Sequence, residues 1–348
     1  MKYRNAPRSE LCAGAQRAGV SRPHNGCGGL LLLAVLAQFS PTISAATLPL
    51  AAEGDLVGTY AEATAGHDDT LIDIARRTGL GYEEIVNANP GVDPWLPGEG
   101  TIVRLPLRRV LPDAPREGIV VNLPEHRLYY FPPPKAGEVR SVVTFPVSIG
   151  KMDWSTPLGL TRIAAKVKDP AWYPPESVRA EHAQRGDILP KVVPAGPDNP
   201  LGQFMMRLAI PGGGYLIHGT NRPAGVGMQV THGCMRLFPE DIEELFHMVP
   251  VETPVRIVNQ PHKVGWADGR LYVEVHPPLE ATSSAIVDPD RSVLARLVTN
   301  AVRTRPGAPV AWSRAEAAFE EARGIPVEVA AVGSTPTAGT VAGAPPGR

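Results

Sequence analysis

The chain has 348 residues, of which 43% are hydrophobic and 20% charged, and a formal net charge of −1. That composition supplies enough apolar side chains for two or three folded units and excludes both a membrane bundle and a disordered chain.

The first stretch carries Lys2, Arg4, Arg8, Arg17 and Arg22 against the single acid Glu10. It then enters the apolar run Leu30–Ala37 and reaches the small residues Ser44-Ala45-Ala46. A basic region, an apolar run too short to span a bilayer and a small-residue site together read as a secretory signal peptide over residues 1–46. Its removal near Ala45 or Ala46 takes the net charge from −1 to about −5, which argues against a nucleic-acid surface. No stable membrane span is expected after cleavage. Cys12 and Cys27 fall inside this segment, and Cys27 precedes the apolar run, the wrong place for a lipid anchor. Cys234 is then alone. A single cysteine can form neither an internal disulfide nor a multi-cysteine zinc site. An inert buried thiol and a nucleophile remain open.

Residues 56–106 read as a small unit. It has an extended piece at Val57–Tyr60, helices near Thr70–Thr78 and Tyr82–Ala88, and a strand at Thr101–Leu105, with Gly79 and Asn89-Pro90-Gly91 as stops. Through Asp69-Thr70-Leu71, Ile74-Ala75-Arg76-Arg77, Asn87–Gly91 and Leu96-Pro97-Gly98-Glu99 this span resembles a lysin motif (LysM) of βααβ form. The resemblance implies a module that binds N-acetylglucosamine-containing glycan. Residues 107–117, with Pro112 and Pro115, read as a stiff linker.

The main domain, 118–260, opens with Ile119–Leu123, a turn at Pro124-Glu125-His126, and Leu128–Phe131. Further strand-like runs follow at 142–149, 160–167, 205–209, 216–218 and 255–259, each bounded by Gly or Pro. One helix is expected, opened by Pro239, with Ile242, Leu245, Phe246 and Val249 as its apolar stripe and Pro250 as its stop. The fold class is mainly β, a sandwich or barrel-like catalytic domain. Residues 169–200, dense in proline and glycine and carrying Trp172 and Tyr173, read as a long loop acting as a substrate-contacting lid. The C-terminal region, 261–332, should hold a hairpin turning at Asp268-Gly269. Two helices follow, one capped by Asp288-Pro289 and the other by a capping box from Ser313 to Glu316. Residues 333–348 read as a disordered tail.

The most informative stretch is Leu216-Ile217-His218-Gly219-Thr220-Asn221, followed by Thr231-His232-Gly233-Cys234-Met235-Arg236. His218 ends a strand, and Cys234 lies just before a helix. A glycine beside each lets the backbone turn tightly and approach a ligand. A thiol of ordinary pKa near ~8.5 becomes a useful nucleophile when an imidazole takes its proton, and His218 and His232 are the candidates.

His218 through Cys234 resembles the histidine and Ser/Thr-His-Gly-Cys signature of the L,D-transpeptidase catalytic domain (YkuD type, ErfK-like subgroup). Arg236 and Thr156-Pro157-Leu158-Gly159 reinforce the likeness. The resemblance implies a periplasmic enzyme that forms a thioester on Cys234 with a peptidoglycan stem tetrapeptide, releasing D-alanine. An amine then takes the acyl group, either diaminopimelate of a second stem or a lysine of an outer-membrane lipoprotein. In this reading His218 is the base, held by the Gly219 carbonyl, and N–H groups around His232, Gly233 and Cys234 receive the oxyanion. His232 positions, Arg236 either binds a substrate carboxylate or makes a structural salt bridge, and Thr231 lies with the substrate-binding residues. No cofactor or metal is implied. The competing classes are hydrolytic remodelling of the wall, an inactive wall-binding protein, a sortase-like or peptidase thiol enzyme, and a metalloenzyme using His218, His232 and Cys234.

Overall fold

A computed structural model describes residues 47–151, 156–279 and 291–333. The expected signal peptide, the Asp288-Pro289 cap and the expected tail beyond Gly333 lie outside these residues. No helix among the described residues is long and apolar enough to cross a membrane.

Strands β1 (Thr47–Pro49) and β2 (Leu56–Val57) precede a βααβ unit made of β3 (Ala61–Thr64), α1 (Leu71–Arg77), α2 (Tyr82–Ala88) and β4 (Ile102–Leu105), with β3 and β4 antiparallel. Thr70 caps α1 by accepting from the Asp73 N–H, and Leu71, Ile74, Leu80, Ile85 and Val103 form the unit's core. The extended piece expected at 57–60 is displaced. Gly58 turns the chain at φ 77°, where a side chain would meet the Leu107 carbonyl oxygen at 1.9 Å, so the unit's first strand starts at Ala61. The expected linker is also structured, because β5 (Arg109–Val110) pairs with β2 and both its residues are buried.

The main domain contains β6 (Gly118–Asn122), β7 (Arg127–Phe131), β8 (Ser141–Pro146), β9 (Ile149–Gly150), β10 (Gly159–Lys168), α3 (Glu176–Gln184), β11 (Phe204–Leu208), β12 (Leu216–His218), β13 (Gln229–Thr231), β14 (Met235–Arg236), α4 (Pro239–Met248) and β15 (Pro254–Val258). A nine-stranded sheet runs in the order β1-β8-β7-β6-β15-β10-β11-β12-β14. It curls, because Ser148 and Arg236 exchange backbone hydrogen bonds of 2.8 and 3.1 Å, tying the β8–β9 segment to the far edge strand β14. The interior is filled by Ile119, Leu128, Phe145, Met206, Ile217 and Met235, with Ile242 and Leu245 of α4 packed on top.

Helix α4 starts at Pro239, as the sequence pattern predicts. Helix α3 was not expected: it lies inside the 169–200 segment read as loop. It buries only Val178, so it has no apolar stripe for a periodicity argument to detect.

The C-terminal region has β16 (His262–Ala267) and β17 (Arg270–Val275), turning at Asp268-Gly269 with φ of 50° and 73°. Helices α5 (Arg291–Arg303) and α6 (Trp312–Glu321) follow, then β18 (Val327–Ala331), which makes the hairpin three-stranded. The capping box expected from Ser313 does not form. The Ala311 N–H donates to the Val329 carbonyl at 2.7 Å, so the helix begins at Trp312 and Ser313 falls inside its first turn.

These regions meet around buried charge. Glu84 of α2 accepts Nε–H and Nη2–H of Arg127 at 2.6 Å each and Nη2–H of Arg109 at 2.9 Å. Glu125 accepts from Tyr129, and Lys263 lies 2.8 Å from both Glu125 and Glu274. Burial alone would push the Glu84 carboxyl up, but Arg127 and Arg109 hold it below the usual range. Burial likewise opposes ionisation of Glu274, yet the Lys263 ammonium and the His276 ring hold it down to about 2. Glu125, Glu274 and His276 offer ligand atoms within 4.8 Å of one another, and the Lys263 ammonium already supplies the cation between the two carboxylates.

Removing one member strands a buried charge. Glu84→Gln should therefore cost about 3–5 kcal/mol in denaturant unfolding, and Glu84→Gln combined with Arg127→Met less than the sum of the single changes. The depressed carboxyls Glu84 and Glu274 contribute stability that is complete above the unfolded carboxylate value of ~4.3 and is lost as pH falls toward their folded values. Melting temperature should drop steeply below about pH 4, and less steeply in Glu84→Gln.

Candidate active site

In the parallel pair β12–β14, Ile217 lies opposite Met235 and His218 opposite Arg236. Alternate residues of a strand share a face. Ile217 and Met235 enter the core, so His218, Arg236 and, one residue before Met235, Cys234 project from the other face. The parallel register thus brings together residues sixteen positions apart.

The His218 Nδ1–H donates to the Gly219 carbonyl at 2.6 Å, which leaves Nε2 as the acceptor nitrogen. The backbone carrying this pair is tightly held. A side chain on Gly219 would meet Ile242 Cγ2 at 3.0 Å, and one on Gly202, at φ 67°, would meet the Thr220 nitrogen at 2.9 Å. Burial, with repulsion from Arg236, pushes the imidazole down to about 3, so it is neutral near neutral pH.

The Cys234 thiol donates to the Gly214 carbonyl at 3.2 Å. Burial pushes it up, against the opposing pull of the Leu216 backbone and the Arg236 guanidinium. The resting pair is therefore thiol and imidazole, both uncharged. Gly233 has φ 90°, a conformation side chains resist, and its carbonyl accepts from the Thr156 hydroxyl at 3.1 Å. Among the described residues the N–H groups of Gly233 and Cys234 have no backbone partner, which leaves two donors beside the sulfur.

Residues 116–257 match the YkuD family, the L,D-transpeptidase catalytic domain. The chain is 38% identical over 297 residues to the probable L,D-transpeptidase YbiS of Escherichia coli, covering 84% of this chain and 94% of that protein. The chain belongs to the L,D-transpeptidase family. It is also 39% identical over 295 residues to probable L,D-transpeptidase ErfK/SrfK of Escherichia coli, covering 83% and 93% of the two chains. With probable L,D-transpeptidase YcfS of the same organism it shares 42% identity over 234 residues, covering 66% and 71%.

In this L,D-transpeptidase the other residues singled out from sequence take varied places. Thr231, expected to meet substrate, is buried and its hydroxyl donates to the Cys234 carbonyl, so it holds the Cys234 turn. Arg236 makes no salt bridge among the described residues; its Nε is buried without a hydrogen-bond partner, and burial with the nearby Arg222 charge lowers its pKa. Trp172 bridges Val193 through two 2.8 Å backbone bonds at the base of the 169–200 segment, and Tyr173 beside it is exposed. Neither makes a hydrogen bond or ring contact with His218 or Cys234.

Sequence reasoning missed Glu181. It lies on α3, and its carboxylate is 2.8 Å from His232 Nε2, which ties the 169–200 segment to the residue two before Cys234. Hydrogen bonding to His232 lowers the Glu181 carboxyl. The only sequence signal was an acid in a polar helix far along the chain from His232.

A neutral resting pair has a kinetic signature. Iodoacetamide alkylation of Cys234 should rise with pH about a midpoint above the ordinary cysteine value of ~8.5. A plateau of reactivity between about pH 4 and 7 would instead mark a preformed thiolate–imidazolium pair and contradict this geometry.

Proposed function

We propose that this L,D-transpeptidase acts on peptidoglycan in the periplasm, using Cys234 as nucleophile and His218 as the proton carrier. The observation that carries this reading is the β12–β14 register: it sets His218, with Nδ1 committed to Gly219, on the same sheet face as Cys234.

The thiol turns from the Gly214 carbonyl toward His218 Nε2, and the sulfur attacks the carbonyl carbon after the third residue of a stem tetrapeptide as its proton passes to Nε2. The tetrahedral oxyanion lies against the Gly233 and Cys234 N–H groups. Such donors are worth roughly 3–4 kcal/mol each where they have been removed from other enzymes. His218 returns the proton to the nitrogen of the departing D-alanine as the C–N bond breaks, leaving a thioester on Cys234. An acceptor amine then attacks the thioester carbonyl and gives its proton to Nε2; the C–S bond breaks, and His218 returns that proton to the departing sulfur.

Arg236, a partly buried cation with an unsatisfied Nε, suits a carboxylate of the donor stem, because an unpaired guanidinium in a low-dielectric site is costly until an anion meets it. The acceptor is either diaminopimelate of a second stem, giving a 3→3 cross-link, or a lipoprotein lysine, giving a tether. Water in that role would make the enzyme a carboxypeptidase. The βααβ unit is read as the glycan-binding LysM-like module, and residues 1–46 as the signal peptide that delivers the chain to the periplasm.

Incubation with a disaccharide tetrapeptide should add the mass of the disaccharide-tripeptide acyl group to the protein and release D-alanine. Cys234→Ala should carry no adduct, and His218→Gln should acylate at least about a hundredfold more slowly. An adduct that persists in Cys234→Ala would overturn the assignment.

A further inference from the structure

The βααβ unit grips the nucleophile's segment on both sides. Before Cys234, the first turn of α2 donates its Tyr82 and Glu83 N–H groups to the carbonyls of Val226 and Gly227 at 3.0 and 3.3 Å. Gly81 and Gly227 interlock there. A side chain on Gly227, at φ 86°, would meet the Gly81 Cα at 2.5 Å, and one on Gly81 would meet the Gly227 Cα at 2.8 Å. The turn so held leads straight into β13 and Thr231, whose hydroxyl holds the Cys234 carbonyl. After Cys234, Arg76 of α1 donates Nε–H and Nη2–H to the two carboxylate oxygens of Glu240 at 2.8 and 3.0 Å, and its guanidinium lies over the Phe238 ring at 5.5 Å. Phe238 and Glu240 follow β14 directly. The grip is backed by the buried Glu84–Arg127 pair, in which Arg127 also donates to the Gly79 carbonyl between α1 and α2 at 2.9 Å.

We propose that the βααβ unit is a positioning clamp for the 226–240 segment, and that Arg76 and Gly81 are positioning residues for acylation of Cys234. A unit serving only as a wall anchor has no need to hold the two ends of the catalytic segment. Between Val226 and Phe238 the chain has only two short strands, β13 and β14, before α4 begins, so its geometry depends on what flanks it. Placement errors near 1 Å are enough to slow an oriented reaction by orders of magnitude. This proposal rests on the transpeptidase reading for its acylation readout and carries a second readout that does not.

Arg76→Gln in the full chain is the primary test, because Arg76 and Glu240 are 44% and 48% exposed and their loss leaves the fold standing. Two quantities are read on each variant: the single-turnover rate of tetrapeptide acylation, followed by intact mass, and the pH profile of Cys234 alkylation by iodoacetamide. Arg76→Gln should slow acylation about tenfold, move the alkylation midpoint toward the ordinary cysteine value, and change the melting temperature by only a few degrees. The exchange Arg76→Glu with Glu240→Arg should bring both readouts back to within about twofold of the parent. Gly81→Ala should reproduce the loss from the other side of the segment. Unchanged acylation and alkylation in both Arg76→Gln and Gly81→Ala would overturn the clamp, as would a loss that the charge exchange fails to restore. If the parent chain is not acylated at all, the transpeptidase reading fails, and the alkylation profiles of the same variants still decide for or against the clamp.

Discussion

The carboxylate of Glu84, enclosed by Arg127 and Arg109, is the contact on which the relation between the protein's regions depends. Its partners come from different parts of the chain: α2, β5 and β7 meet there, and through Glu125 the network continues to Lys263 and Glu274 of the C-terminal sheet. Three carboxylates, Glu84, Glu125 and Glu274, are matched by three cations, Arg109, Arg127 and Lys263. Each buried ion costs several kcal/mol in desolvation, which its partners offset only when all are in place. A segment that failed to dock would leave its partners charged and dry, so the regions assemble together.

That constraint reaches the reaction through short paths. Arg127 fixes α2, the first turn of α2 fixes the Val226–Gly227 turn, and that turn leads to the Thr231 hydroxyl that holds the Cys234 carbonyl. On the other side, α4 packs Ile242 against Gly219 and so keeps the carbonyl to which His218 donates in place. His218 and Cys234 are thereby held by packing and hydrogen bonds rather than by charge. Both groups rest uncharged, because burial disfavours thiolate and imidazolium alike.

The 169–200 arm is held differently. Helix α3 buries one apolar residue, so polar contacts keep it in place: Asn199 Nδ2 donates to the carbonyls of Pro170, Val193 and Pro194, and Glu181 reaches His232. An element with so little apolar burial opens at low cost, which suits a covering segment beside a site that must admit a peptide.

How much of this the sequence contained divides along a physical line. The placement of His218, Gly219, Gly233 and Cys234 was legible because it follows local backbone demands, glycine at the turns and a histidine at a strand end. Strands β4, β6, β7, β8, β10, β11, β12 and β15, helix α4 and the Asp268-Gly269 hairpin were legible because periodicity and turn residues act over a few positions. Helix α3 was not, since it has no apolar face, and neither were β5 and β18, which are strands only because distant partners pair with them. Nor could sequence show that Thr231 turns inward, that Arg236 lacks a salt bridge among the described residues, or that Glu181 meets His232. The sequence by itself determined which atoms can do the chemistry. The tertiary structure decided which charges are buried together and what holds Cys234, because those energies exist only between residues that the chain alone does not place side by side.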